Sequence, residues 1–263
     1  RILDMQSQQL SFEALGMPEK ELAQLLQAIH RPNGMVLITG PTGSGKTVTL
    51  YTCLNHLNTP GVNIATVEDP SEIVLAGANQ VNVNDRIGLS FEVALRSLLR
   101  QDPDILMVGE IRDLATADIA IKASQTGHLV LSTLHTNDAP STLARLSHMG
   151  IAGFNLASSV TLICAQRLLR RLCIACKQRL SNDTAYRAVG CHLCLDGYKG
   201  RLAIHQVMPI THALQSLMVQ QASALELGLQ ATHEGMCSLR EAGMRKVAAG
   251  ETTTEEVFAA THE

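Results

Sequence analysis

The sequence predicts an α/β fold built round a mainly parallel sheet. Three observations carry that expectation. Short, predominantly apolar runs, Met35–Thr39, Ile105–Val108 and Leu129–Leu134, alternate with segments patterned as helices. Runs this apolar suit parallel strands covered on both faces. A glycine-rich stretch from Gly40 to Thr47 then separates the first run from the next helix, which is the context of a phosphate-binding loop.

The elements follow in order. Pro18, Glu19 and Glu21 mark the start of a helix running to about Ile29. After the strand at 35–39, a helix is expected from Lys46 to about Asn58, and a strand from Val62 to Val67. Ser90–Gln101 reads as helix, Ile105–Val108 as strand, Leu114–Gln125 as helix and Leu129–Leu134 as strand. A helix over Ala139–Met149 is stopped by Gly150. Beyond Val207 the pattern is helical again, and Glu251 to Glu256 resembles a cap before a last short helix.

Composition excludes several classes. At 263 residues, 46% hydrophobic and 17% charged, the chain is neither disordered nor acid-rich. A net charge of −3 with four Phe, three Tyr and no Trp disfavours a polyanion binder that stacks bases. No run approaches the roughly 18 apolar residues needed to span a bilayer, and Arg1–Gln6 lacks a signal-peptide pattern. The absence of an initiating Met is read as a sign of a fragment or processed product. Charge is unevenly placed. Between Gln166 and Arg201, eight basic residues stand against Asp183 and Asp196, a net +6 that leaves −9 for the rest of a chain totalling −3. The seven cysteines fit a reducing compartment better than a disulfide framework.

Gly40-Pro41-Thr42-Gly43-Ser44-Gly45-Lys46-Thr47 satisfies G-x-x-x-x-G-K-[ST] at every fixed position. Glycines let successive N–H groups face phosphate oxygens, and the following helix adds its positive end. Lys46 would neutralise the β and γ phosphates of ATP, and the Thr47 hydroxyl would ligate Mg²⁺. Asp104 to Glu110 is an apolar strand closed by an acid, the Walker B arrangement, and the strand at 62–67 ends in Glu68 and Asp69. Two strand-end acids near one triphosphate divide two jobs, holding Mg²⁺ and polarising the attacking water. His128 and His135 bracket the third strand. His135, at its carboxyl end, faces the crevice and is the candidate γ-phosphate contact.

Together these blocks resemble the ATPases of type II secretion systems and of type IV pilus assembly. The resemblance rests on residues 40–47, the "aspartate box" Thr66–Pro70, the Walker B run Gln101–Arg112 and the "histidine box" Thr126–Asn137. It implies a RecA-like P-loop NTPase core in a homo-hexameric ring, whose ATP cycle moves pilin or pseudopilin at the inner membrane. By that topology Glu68 is assigned to the water and Glu110 to the Mg²⁺ shell, with the reverse assignment open. Arg96, Arg100 and Arg112 match arginines placed around the phosphates or across subunits. Ser71 and Val93 depart from the family pattern, and a further N-terminal domain common in the family is missing. The implied organisation is a connecting segment at 1–32, the ATPase core at 33–165, a cysteine module at 166–206 and a helical region at 207–263.

Cys173-x2-Cys176 and Cys191-x2-Cys194, with 14 residues between the pairs, have the spacing of a four-thiolate Zn²⁺ site. The competing reading is a pair of disulfides. Cys53, Cys164 and Cys237 are expected to be buried spectators. In the resembling family a four-cysteine element marks extension and secretion ATPases, favouring assembly over retraction. Such a protein is cytoplasmic and peripheral to the inner membrane, with platform proteins as partners and anionic lipid as a candidate contact for the basic module. Two alternatives remain at this stage. One is a nucleic-acid motor, disfavoured because the module has only Tyr186 and Tyr198 for stacking. The other is a nucleotide-gated assembly module with negligible turnover.

Overall fold

A computed structural model describes residues 10–180 and 185–261. Residues 1–9 of the expected connecting segment, 181–184 of the cysteine module and 262–263 lie outside the described residues. Ser11 caps α1 (Phe12–Leu15), and Gly16 ends it in the left-handed region. Pro18 precedes α2 (Glu19–Ile29), whose first turn carries Glu19 and Glu21 as expected from the helix dipole. The chain then forms β1 (Gly34–Thr39), α3 (Lys46–Leu57), β2 (Ile64–Glu68) and β3 (Asn79–Asn82). Next come α4 (Phe91–Leu98), β4 (Ile105–Val108), α5 (Leu114–Gln125), β5 (Leu129–Leu134), α6 (Ala139–His148) and α7 (Gly153–Ser159). Ser90, Asp113 and Asp138 cap α4, α5 and α6 by accepting backbone hydrogen bonds. The last part contains β6 (Val160–Leu172), β7 (Gln178–Arg179), β8 (Tyr186–Arg187) and β9 (Tyr198–Pro209), followed by α8 (His212–Val219), α9 (Ala224–His233), α10 (Leu239–Ala248) and α11 (Thr254–Ala260).

Seven strands form one sheet in the order β3-β2-β4-β5-β1-β6-β9. All neighbours are parallel except β6 and β9, which pair antiparallel. β1 shows why its run Met35–Ile38 is apolar. Met35 and Leu37 join the core beneath α4 to α11, while Val36 and Ile38 join the core beneath α2 and α3. Every residue of β1, β2, β4 and β5 is buried. The fold is therefore a RecA-like α/β core with a largely parallel sheet, a four-cysteine element and a C-terminal helical region.

The composition shift at residue 166 lies inside β6, which runs unbroken to Leu172 and pairs with β9 as far as Tyr198. The sheet thus takes up residues on both sides of the expected module limits, and the cysteines sit on the excursion between these two long strands. No helix among the described residues is long and apolar enough to cross a membrane.

Candidate nucleotide site and cysteine cluster

β1 delivers the phosphate loop to the carboxyl edge of the sheet, where β2, β4 and β5 also end. Gly40 and Gly45 have φ values of 146° and 87°. A Cβ at Gly40 would lie 2.5 Å from the Gln166 carbonyl, and one at Gly45 would lie 2.8 Å from Gln166 Nε2, so the glycines permit both the turn and the close approach of β6. No side chain caps the start of α3. The hydroxyls of Ser44 and Thr39 are buried with no partner among the described residues. Uncapped helix N–H groups and orphaned hydroxyls beside a lysine fit a phosphate chain. Lys46 is buried and donates to the carbonyls of Gly40 at 2.8 Å and Pro41 at 3.0 Å. Burial pushes its pKa down to about 8, against the pull of Glu110.

A crevice of about 540 Å³ runs from this loop past Thr47, Glu68, Glu110, Arg112 and His135. The structure thus places those five sequence-selected residues round one space. Glu110 pairs with Arg112, whose pKa is raised chiefly by that hydrogen bond, and Arg112 Nη1 reaches Asp69 at 3.5 Å. His135 Nε2 lies 3.6 Å from Glu110 Oε2, and burial followed by the charge of Lys46 lowers the His135 pKa. Glu68, 4% exposed, accepts from Tyr51, Thr66 and Gln80. Arg96 and Arg100 do not line the crevice. Arg96 instead pairs with Glu92 at 3.0 Å along the exposed face of α4, and Arg100 is exposed in the 3-10 turn Leu99–Gln101.

Several functional positions escaped sequence reasoning. Gln166 is buried on β6, donates to the Ser44 carbonyl at 2.8 Å and accepts from the Thr49 hydroxyl at 2.7 Å. Arg167 is also buried and donates to the carbonyls of Asn137 at 2.6 Å and Gln166 at 3.1 Å, tying the loop after β5 to β6. Arg201 of β9 lines the crevice. Tyr51 touches the Glu68 carboxylate from α3. A phosphate-loop motif signals none of these contacts, since each depends on β6, β9 or α3 being packed against the loop.

The four sulfurs of Cys173, Cys176, Cys191 and Cys194 lie within 4.8 Å of one another, and all four cysteines are free thiols. Sγ separations are 3.9 Å for Cys173–Cys191 and 3.6 Å for both Cys176–Cys194 and Cys191–Cys194. Zinc–sulfur bonds of about 2.3 Å in a tetrahedron set sulfurs about 3.8 Å apart. The donor set therefore fits a structural metal. Cys53 and Cys164 are fully buried, whereas Cys237 is half-buried. The local +6 is partly neutralised. Arg170 pairs with Glu256 at 2.6 Å, and Arg171 lies 4.0 Å from Glu251.

Residues 1–259 match the family described as "Type II/IV secretion system protein". The chain is 52% identical to the "Type IV pilus assembly ATPase PilB" of Acinetobacter baylyi, covering 100% of this chain and 49% of that protein. It is likewise 52% identical to the "Type II secretion system protein HxcR" of Pseudomonas aeruginosa, covering 100% of this chain and 56% of that one. The chain thus spans about half the length of the curated relatives it matches. A crystal structure of the pilus retraction motor PilT with bound ADP superposes with a TM-score of 0.78 at 29% identity, covering 100% of this chain and 69% of that one.

Proposed function

Because the chain belongs to the type II/IV secretion system protein family, we propose that it is the ATP-hydrolysing core of a motor that powers type II secretion or type IV pilus assembly. The single observation that carries this reading is the convergence of Lys46, Thr47, Glu68, Glu110 and His135 on one crevice beneath a phosphate loop. The proposed setting is a homo-hexamer at the cytoplasmic face of the inner membrane, held by platform proteins. Two relatives whose names state pilus assembly and type II secretion support both systems equally.

In the proposed reaction ATP is the substrate. Lys46 and the loop N–H groups hold its phosphates, and His135 stands ready to donate to the γ phosphate. Thr47 and Glu110 would hold Mg²⁺, which supplies charge neutralisation on the phosphate oxygens. Glu68 accepts the proton of the attacking water, its buried carboxylate being fixed by three neighbours. Arg112, tethered to Glu110 and Asp69 at the crevice, is proposed to stabilise charge developing on the phosphates. Arg96 and Arg100, exposed and outside the crevice, are proposed to act on a neighbouring subunit. Cys173, Cys176, Cys191 and Cys194 are proposed to hold one structural Zn²⁺, fastening the excursion between β6 and β9.

The test is Mg²⁺-dependent ATP turnover with and without single-stranded DNA at several salt concentrations. The proposal expects turnover that DNA leaves unchanged. Stimulation by DNA with a steep salt slope would instead assign the protein to nucleic-acid motors.

A further inference from the structure

Glu68 is closed in by hydroxyls and a carboxamide rather than by cations. The Tyr51 hydroxyl lies 2.8 Å from Oε1 and 2.7 Å from Oε2, the Thr66 hydroxyl donates to Oε1 at 2.7 Å, and Gln80 Nε2 approaches Oε1 at 3.4 Å. Gln80 Nε2 also donates to the Tyr51 oxygen at 2.7 Å and to the Ile73 carbonyl at 2.9 Å. That donation occupies a lone pair of Tyr51 and turns the phenolic proton toward the carboxylate. Burial, then the hydrogen bond to Glu68, drive the Tyr51 pKa far above its usual value, so the phenol keeps its proton. The three donors are not equally shared. Oε1 has three neighbours and Oε2 has Tyr51 alone.

The geometry points to Tyr51, with Thr66 and Gln80, as a cradle of neutral donors that fixes the plane of the Glu68 carboxylate for the attacking water. This rests on the proposed role of Glu68. Neutral donors suit the task. A cation at this place would pair with the carboxylate and compete with the water for it, whereas hydroxyls fix the plane of the carboxylate without adding a charge. The cradle also links two parts of the site by covalent chain. Tyr51 stands five residues beyond Lys46 on α3, so the helix that carries the phosphate-binding lysine also carries the donor that orients the acid. Tyr51 is fully buried in the crevice wall with its hydroxyl on the Glu68 carboxylate, and it acts through that acid as a positioning residue.

The experiment compares Tyr51→Phe, Thr66→Val, Thr66→Ser and Glu68→Gln in steady-state ATP hydrolysis, with binding of a nonhydrolysable ATP analogue and thermal unfolding measured on each. Tyr51→Phe is expected to lower kcat about 10- to 100-fold while the KM and the analogue affinity stay within about twofold. Thr66→Val should lower kcat in the same sense, and Thr66→Ser, which keeps the hydroxyl, should recover most of the loss. Should Tyr51→Phe fail to fold, the Thr66 pair carries the test alone. The cradle is overturned if Glu68→Gln is inactive while Tyr51→Phe and Thr66→Val turn over normally. It is equally overturned if their losses follow analogue affinity and unfolding temperature instead of kcat. Normal turnover by Glu68→Gln would remove the assigned role of Glu68 itself, a different failure.

Discussion

Gln166 clamps the phosphate loop from the neighbouring strand, its carboxamide donating to the Ser44 carbonyl at 2.8 Å. The same side chain accepts from Thr49 at 2.7 Å, so loop and helix are fastened to β6 through one buried residue. Replacing it with Leu keeps the volume, removes the donor from the Ser44 carbonyl and leaves the Thr49 hydroxyl only its 3.4 Å contact with the Gly45 carbonyl, at about 1–3 kcal/mol in destabilisation. Gln166→Leu should therefore unfold at lower denaturant with an unchanged m-value and bind an ATP analogue more weakly. Wild-type affinity in a destabilised variant would show that the clamp serves folding alone.

This residue also shows where sequence reading ends. The runs at β1, β4 and β5 were legible because burial on both faces leaves an apolar signature, and α5 and α6 begin at Leu114 and Ala139 as expected. β3, Asn79–Asn82, is polar and exists because its backbone pairs with β2 at the sheet edge. β6 and β9 were obscured by the basic residues and cysteines at their far ends, where composition changes but the strands continue. Glu68, Glu110 and Lys46 were legible as motif positions. Gln166, Arg167 and Tyr51 acquire their contacts only when segments distant in sequence or structure meet, and no local pattern records that.

Lys46 governs the alkaline side of nucleotide binding. Its pKa is lowered to about 8 by burial, so the free protein loses this positive charge as pH rises past that value. Binding to phosphate favours the protonated form. Apparent ATP affinity should accordingly weaken above pH 8, by up to about tenfold per pH unit. Isothermal titration with the analogue at pH 7, 8 and 9 measures this, and Lys46→Ala should bind weakly with no such dependence.

His205 predicts an acid-side loss of stability. It is 3% exposed, neither ring nitrogen has a partner among the described residues, and burial followed by the charge of Lys246 lowers its pKa to about 4. The unfolded chain takes up this proton near the ordinary histidine value of 6.5 and the folded one near 4, so stability falls as pH drops between them. The full effect is about 3 kcal/mol. His205→Leu should flatten the denaturation midpoint across that window, and an unchanged slope would place the acid sensitivity elsewhere.

The cysteine cluster predicts bound metal. Metal analysis of the purified protein should find about one zinc per chain, and Cys176→Ser or a strong chelator should lower the unfolding temperature by loosening the chain between β6 and β9. A metal-free protein with unaltered unfolding would contradict the assignment.

ATP hydrolysis by Glu68→Gln and Glu110→Gln, each set beside its affinity for a nonhydrolysable analogue, tests the account most directly. Both carboxylates line the crevice with Lys46, and neither contacts the phosphate-loop backbone in the described structure. The account predicts that each variant binds the analogue and loses turnover. Two variants that hydrolyse ATP at the unsubstituted rate would contradict it.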